Sequence, residues 1–104
     1  MWIGHTEGWL SIVEHRDDYS LLLVRARNES HITSIWGDIG VTHMPEADYP
    51  YRVTLSREEV KSGLCEYISN IDYDNYKSAV VDEKLAKALG WVWSVMYEYG
   101  DEYR

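Results

Sequence analysis

The chain has 104 residues, 45% of them apolar and 27% charged, so it is long enough to bury the core of one domain without disulfides. Its formal net charge of −8 disfavours binding to nucleic-acid phosphates, and no stretch approaches the roughly 20 apolar residues of a membrane span. The single cysteine, Cys65, excludes an internal disulfide. We therefore expect one domain over residues 1–104, without a signal peptide, in a reducing cytoplasm.

The first third of the chain predicts two strands. Residues Trp9–His15 alternate, with Leu10 and Ile12 on one face. Residues Leu21–Arg27 form the strongest predicted strand, because its first half is apolar on both faces, which favours a central position. Residues 1–8 are mixed in character, and we expect them to fray or to form only a short extended piece.

A short helix and two further strands are predicted next. Asn28 is suited to cap a helix that runs to about Trp36, where Gly37 can end it. Alternation predicts a strand over Ile39–Met44 and another over Tyr51–Leu55, separated by a loop that contains two prolines.

The C-terminal half predicts helices. Ser56 and Glu59 have the spacing of a capping box, and the helix that they begin carries an apolar stripe. A short helical turn through Val80 is predicted before the last helix. That helix covers Asp82–Tyr99, with Asp82 as its N-cap. Its stripe comprises Val81, Leu85, Leu89, Val92, Met96 and Tyr99. We expect this stripe to lie on the sheet, and residues 100–104 to fray.

The predicted order of elements is ββαββαα. It indicates a two-layer α+β domain with a four-stranded antiparallel or mixed sheet and helices on one face. The middle βαββα unit matches most of a ferredoxin-like fold, with the first strand as a permuted edge strand. This topology implies the spatial order 1-2-4-3, in which we expect the second and fourth strands to be central and parallel.

Several segments resemble a family of short uncharacterised proteins from actinobacteria and their phages. The resemblance covers nearly the whole chain and rests on WIGHTEGWLSIVEHRDD, LLLVRAR, ADYPYRVTLSREEV, IDYDNYKSAV and VWSVMY. It implies that the Asp72–Lys77 turn and the VRAR strand are signatures of the family, and that a phage origin is plausible. The family has no assigned activity, so the resemblance implies no catalytic residue. The acidic tail from Glu98 to Arg104 departs from its pattern.

The principal candidate for an anion site is a set of three arginines. Arg25 and Arg27 point the same way on a central strand, and Arg52 lies on the neighbouring strand in the predicted order. Three guanidiniums on one open face could bind a carboxylate or phosphate. The alternative is that they pair with nearby acids such as Glu14, since charges that face solvent are usually solvated or paired. A sheet face with arginines and aromatic residues also resembles an RNA platform, which the net charge disfavours.

Other constellations favour structural roles. The Asp72–Lys77 turn has carboxylates that could hold Ca²⁺, but it lacks the rest of a calcium loop, and a helix-junction role is the stronger interpretation. The four histidines lack metal-site spacing, so we predict no metal and no cofactor. Cys65 has no catalytic context, and we expect a partly buried structural thiol. We predict no catalytic residue.

The leading functional hypothesis is a small acidic protein-interaction module that is not an enzyme. Nine tyrosines and five tryptophans suit half-buried sites and interfaces, although such rings also fill small cores. The predicted contact residues are Trp36, Trp91, Tyr97 and Tyr99. The partner would be a host or cognate protein, and self-association to a homodimer is a related expectation. The alternative is a binder of small anionic ligands, or a minor enzyme, that uses Arg25, Arg27 and Arg52.

Overall fold

Five strands form one sheet in the computed structural model, which describes residues 1–104. The strands are β1 (Trp2–His5), β2 (Gly8–Glu14), β3 (Leu21–Ala26), β4 (Thr42–His43) and β5 (Tyr51–Ser56). The helices are α1 (Ser30–Trp36), α2 (Arg57–Ser69), α3 (Tyr76–Ala79) and α4 (Glu83–Asp101). The α+β class is as predicted, but the sheet has five strands rather than four. The strand predicted over Ile39–Met44 is limited to Thr42–His43.

The sheet order is β1-β2-β3-β5-β4, and every neighbouring pair is antiparallel. The predicted relative order of β2, β3, β4 and β5 is confirmed, whereas the predicted parallel pairing of the two central strands is wrong. Helix α1 carries the chain back over the sheet, so β4 runs in the direction of β3. The connection to β5 then reverses the chain, and β5 lies antiparallel to β3 with Val24 opposite Val53.

The N-terminal residues are ordered as a strand. Trp2–His5 pair with β2, and the terminal ammonium of Met1 donates a hydrogen bond to the Ile12 carbonyl at 2.8 Å. Of the two expectations for residues 1–8, the short extended piece is the one that forms, as β1. The short segment contains a glycine and no alternating pattern, so it offered little sign of a strand. Gly8 allows β2 to approach α1 closely, since a Cβ at that position would overlap His31.

Helices α1 and α2 cover one face of the sheet and close the main core. That core is a cluster of eight buried side chains: Leu10, Ile12, Val24, Ala26, Ile32, Val53, Leu55 and Val60. The capping box that begins α2 is formed as predicted, with Ser56 Oγ accepting from the Glu59 amide and Glu59 Oε1 accepting from the Ser56 amide. The apolar stripe of α2 leaves the core toward its C-terminus, where Ile68 is 60% exposed.

Helix α4 does not lie on the sheet, contrary to the sequence-based expectation. Asp82 caps it as predicted, and the helix continues to Asp101, two residues beyond the predicted end at Tyr99. Leu89 is its only buried residue, and no α4 side chain belongs to the main core. The helical face of the sheet is already occupied by α1 and α2. The molecule is accordingly elongated, with extents of 41 × 28 × 26 Å.

Candidate functional site

The distal half of α4 exposes an unusual amount of apolar surface. We call residues 91–103 the α4 tip. Its exposed large apolar side chains are Trp91, Val92, Trp93, Val95, Met96, Tyr97, Tyr99 and Tyr103. Trp91 is 67% exposed and Met96 is 56% exposed. Single exposed apolar residues are ordinary, but a contiguous set on one helix is typical of an interaction surface.

The aromatic rings of the α4 tip are supported by one another. Trp93 stacks on Tyr97 with their ring centroids 5.2 Å apart, and Tyr99 lies 5.2 Å from Tyr103. The Lys77 ammonium lies 3.8 Å from the centroid of Trp93, a cation–π contact that ties α3 to the tip. These contacts restrict the rings before any partner arrives, which lowers the entropic cost of ordering them at an interface.

An apolar groove continues from the tip toward the body of the protein. We call it the α4 groove; its volume is about 1020 Å³. Leu85, Ala88, Leu89 and Val92 line one wall, and Trp9 lies in the lining contributed by the body. Val92 belongs to both the groove and the tip, so the two surfaces are continuous.

The acidic residues Glu7 and Asp82 of the α4 groove accept hydrogen bonds from within the chain, whereas its basic residues Arg27 and Lys84 form no ion pair. Glu7 accepts a hydrogen bond from Tyr67 Oη at 2.6 Å, and Asp82 accepts from the Leu85 amide at 2.8 Å. Arg27 and Lys84 take part in no ion pair. The acids are thus engaged within the chain, while two cations remain available to an acidic partner.

The four predicted contact residues do not form one surface. Trp91, Tyr97 and Tyr99 all lie on the α4 tip. Trp36 lies elsewhere: it packs against the main core, it donates from Nε1 to the Glu59 carbonyl at 2.9 Å, and its indole fills the space beside Gly63. We therefore leave Trp36 out of the surface proposed below. Val92, Trp93, Val95 and Met96 are tip residues that the sequence-based list omitted.

The three candidate arginines are brought together by the sheet. Arg25 of β3 lies directly opposite Arg52 of β5, on the face away from α1 and α2. Two like charges directly opposite each other on neighbouring strands destabilise a sheet unless other contacts offset their repulsion. Arg25 donates to Ser11 Oγ at 2.8 Å, and the buried ring of Tyr49 lies 4.7 Å from the Arg25 guanidinium and 4.3 Å from that of Arg27.

No acid neutralises this arginine face. Glu14, the partner that the alternative interpretation required, pairs instead with Arg57 at 2.7 Å. The Nε atoms of Arg25 and Arg52 are buried without a hydrogen-bond partner. Unpaired buried donors are uncommon in proteins, and here they leave positive charge uncompensated in an acidic chain. Arg52 also donates to the Tyr49 carbonyl at 3.4 Å. The three guanidiniums thus lack an acidic partner within the chain, and anion binding by them stays a prediction.

A pair of histidines, His5 buried and His31 half-buried, joins the first hairpin to α1. His5 Nε2 donates to the His31 carbonyl at 3.0 Å, while His5 Nδ1 accepts from the Glu7 amide and His31 Nδ1 accepts from the Trp9 amide. Burial lowers the pKa of both histidines from its ordinary value of 6.5. The two residues are 26 positions apart and form no motif, so the sequence carried no signal for this contact.

Two tyrosines complete the polar contacts around His5. Tyr76 Oη donates to the His5 carbonyl at 2.9 Å, and the Tyr67 ring packs edge-on against His5. Burial raises the pKa of Tyr76 to about 12, and it also raises the pKa of Tyr67. Both phenols therefore stay protonated near neutral pH and act as hydrogen-bond donors. Because each ring nitrogen of His5 is engaged with backbone, the cluster serves to hold the hairpin in place.

The remaining candidates are placed as follows. Asn75 caps α3 through the Ser78 amide, which gives the Asp72–Lys77 turn a role at a helix junction. Cys65 is exposed rather than partly buried. No cluster of His, Cys, Asp or Glu side chains has a geometry that could hold a metal ion.

Comparison of the chain with protein-family models, curated proteins and solved structures found no match. No helix combines the length and apolar composition that crossing a membrane requires. The resemblance to the actinobacterial and phage family therefore stays a prediction.

Proposed function

We propose that this chain is a small, acidic, non-enzymatic protein-interaction module that binds through the α4 tip and the α4 groove. The observation that carries the proposal is the exposed apolar surface of the tip, continuous with an apolar groove. Tyr and Trp are enriched at protein interfaces because each combines a large apolar area with a polar group, and the tip has five such residues. The size and the acidic charge of the chain support a role as a cytoplasmic phage-encoded modulator of host machinery, or as an immunity or antitoxin-type protein.

The proposal can be tested by affinity capture from an actinobacterial lysate, with an untagged copy of the chain added. Wild-type protein should retain a specific partner. Met96→Asp, which puts a charge in the apolar surface, should lose it. Ile68→Asp is the matched control, because Ile68 on α2 is 60% exposed and Met96 is 56% exposed. The proposal fails if wild type binds neither another protein nor its own copy, or if Met96→Asp binds as well as Ile68→Asp does.

A second candidate function is the binding of a small anion by the arginine face. The observation that favours it is the absence of any acidic partner for Arg25, Arg27 and Arg52, together with two buried unpaired Nε atoms. An anion that accepts several hydrogen bonds would compensate the charge of the opposed pair. Arg25 and Arg52 lie away from the α4 groove, whereas Arg27 also lines it, so Arg25→Ala tests anion binding without altering the α4 surface.

Anion binding can be tested by thermal unfolding in inorganic phosphate or citrate, with chloride at equal ionic strength as the reference. A ligand that binds only the folded state raises the unfolding temperature with its concentration. Wild type should show this rise and Arg25→Ala should not. Arg57→Ala is the control, since that guanidinium already pairs with Glu14. A rise that persists in Arg25→Ala, or no rise in wild type, would refute the site.

A further inference from the structure

We propose that the partner of the α4 surface is a second copy of this chain. In the homodimer, two α4 helices run antiparallel, and the tip of each copy lies in the α4 groove of the other. This inference rests on the proposed function, because it uses the same surface and identifies the occupant. Such an interface is isologous: one two-fold axis relates the copies, and both grooves are filled at once.

The spacing of apolar residues along α4 supports helix-to-helix packing. Leu85, Leu89, Val92, Met96 and Tyr99 follow one another along α4 at intervals of four and three residues alternately, and Tyr103 continues the spacing in the turn after the helix. This is the spacing of a coiled-coil seam, in which side chains of one helix insert between those of another. The first three residues line the groove and the last three lie on the tip. An antiparallel pair therefore brings the tip half of each seam against the groove half of the other.

The exposed area agrees with what a stable dimer needs. Each large, half-exposed aromatic side chain can contribute roughly 100 Å² to an interface. Val92, Trp93, Val95, Met96, Tyr99 and Tyr103 lie on the seam or beside it, and they present an area on the order of 600 Å² per copy. The groove lining adds to this area, toward the roughly 800 Å² that one partner contributes to a standard interface. Trp91 and Tyr97 lie on the other side of the helix and are not counted. Monomeric proteins rarely expose a contiguous apolar patch above a few hundred Å².

Charge also favours the antiparallel arrangement. The tip carries Glu98, Asp101 and Glu102 at the helix C-terminus, where the helix dipole is negative and acidic side chains are unfavourable. Asp101 is paired with Arg104, which leaves two acids without a partner. Antiparallel pairing brings this end to the partner's α4 N-terminus, where the dipole is positive. Lys84 and Arg27 lack ion pairs there, Asp82 is engaged in capping the helix, and Glu83 is the remaining acid of the first turn. A parallel pair would bring the acidic ends together.

The oligomeric state tests the inference directly. Sedimentation velocity should show the wild-type chain at twice its 12.2 kDa mass, with a dissociation constant below about 10 µM. Met96→Asp should weaken the dimer at least about 100-fold, as loss of a central apolar contact does. Ile68→Asp, exposed to a similar degree but on α2, should leave it unchanged. Circular dichroism establishes that each variant is folded.

Cross-linking tests the orientation. In a Cys65→Ser background, Ala88→Cys with Tyr99→Cys places two thiols about 16 Å apart along one helix, beyond the reach of a reagent that spans about 8 Å. Antiparallel pairing brings the thiol at position 88 of one copy near the thiol at position 99 of the other copy, so covalent dimers should form. The control variant combines Ala88→Cys with Lys87→Cys, which puts both thiols at the groove end. Antiparallel pairing keeps the two groove ends apart, so the control should form few covalent dimers.

The outcomes separate this inference from the proposed function. A wild-type chain that stays monomeric at about 200 µM overturns the dimer, as does a dimer that survives Met96→Asp or covalent dimers that form as readily with the control thiols. In each of these cases, the proposed function would still hold if the wild-type chain captured a different protein and Met96→Asp abolished that capture. If the wild-type chain captured no other protein either, both the dimer and the proposed function would be refuted.

Discussion

Helices α2 and α4 begin in the same way but differ in how far their apolar side chains are buried. Both begin at an acceptor side chain, Ser56 in α2 and Asp82 in α4, and α4 is the longer and more apolar of the two. Yet α2 contributes Val60 to the main core, while α4 leaves most of its apolar side chains in solvent. Apolar character along a helix thus predicts that a surface must be covered, and it leaves open which partner covers it.

The difference follows from how much of the helix-facing surface of the sheet is left uncovered by other helices. Five strands present one helical face, and α1 and α2 together cover its buried residues. Helix α4 is left with the edge of the body near Trp9 and His31, where only Leu89 is buried. Stability should therefore concentrate in the sheet with α1 and α2, while binding concentrates in α4. Four predictions test this division.

The largest effect is expected for Ile32→Ala in α1. Ile32 is fully buried in the main core, and truncation of such a side chain costs about 2–5 kcal/mol in free energy of unfolding. Met96→Ala on the exposed tip should change the unfolding free energy of the monomeric chain by less than about 0.5 kcal/mol. Urea unfolding at low protein concentration measures both. Equal losses for the two variants would contradict the division.

Glycine-to-alanine exchange should have opposite signs in the two helices. In α2, a Cβ at Gly63 would overlap the Trp36 indole, so Gly63→Ala should destabilise by about 1–3 kcal/mol. In α4, a Cβ at Gly90 meets nothing within 4 Å, so Gly90→Ala should stabilise by about 1 kcal/mol through helix propensity. Thermal unfolding of the pair provides the comparison. Destabilisation by Gly90→Ala would indicate that this part of α4 packs closely.

A smaller effect is expected where the tip meets the body. The Lys77 ammonium over Trp93 is a partly exposed cation–π contact, worth about 0.5–1 kcal/mol. Trp93→Ala and Lys77→Ala, alone and combined, should reveal a coupling energy of that size in a double-mutant cycle. Trp91→Ala combined with Lys77→Ala provides the control, because the cation over the Trp91 ring is Lys87 rather than Lys77. A coupling of zero would mean that the tip is free of α3.

A pH effect should be absent at neutral pH and appear on acidification. The pKa values of His5 and His31 are lowered by burial, so the unfolded chain binds more protons once the pH falls below the ordinary value of 6.5. The unfolding temperature should thus be constant above that pH and fall as the pH decreases through it. His5→Gln should be less stable at neutral pH and show a weaker dependence. An equally steep dependence in His5→Gln would assign it to other groups.

Local features of the fold were predictable because neighbouring residues decide them. The Ser56–Glu59 capping box, the Asp82 cap and the alternation of β2, β3 and β5 are properties of short segments, and each formed as predicted. Strand β1 was predicted only as a short extended piece, as an alternative to fraying, because its four residues have no alternation and its stability comes from pairing with β2. The arginine face was predictable in part, since strand alternation put Arg25 and Arg52 on one face once the sheet order was inferred.

Contacts between distant segments depended on the tertiary structure. His5 and His31 meet only because the first hairpin closes on the start of α1, and Tyr49 reaches Arg25 and Arg27 from a loop that has no pattern of its own. The amphipathic pattern of α4 establishes a helix with an apolar stripe. Whether that stripe enters the core depends on how much sheet surface other helices have taken, a competition among elements far apart in the chain. Composition and periodicity thus determine the α+β class and the helices, while the tertiary packing decides that the most apolar helix is left exposed to solvent.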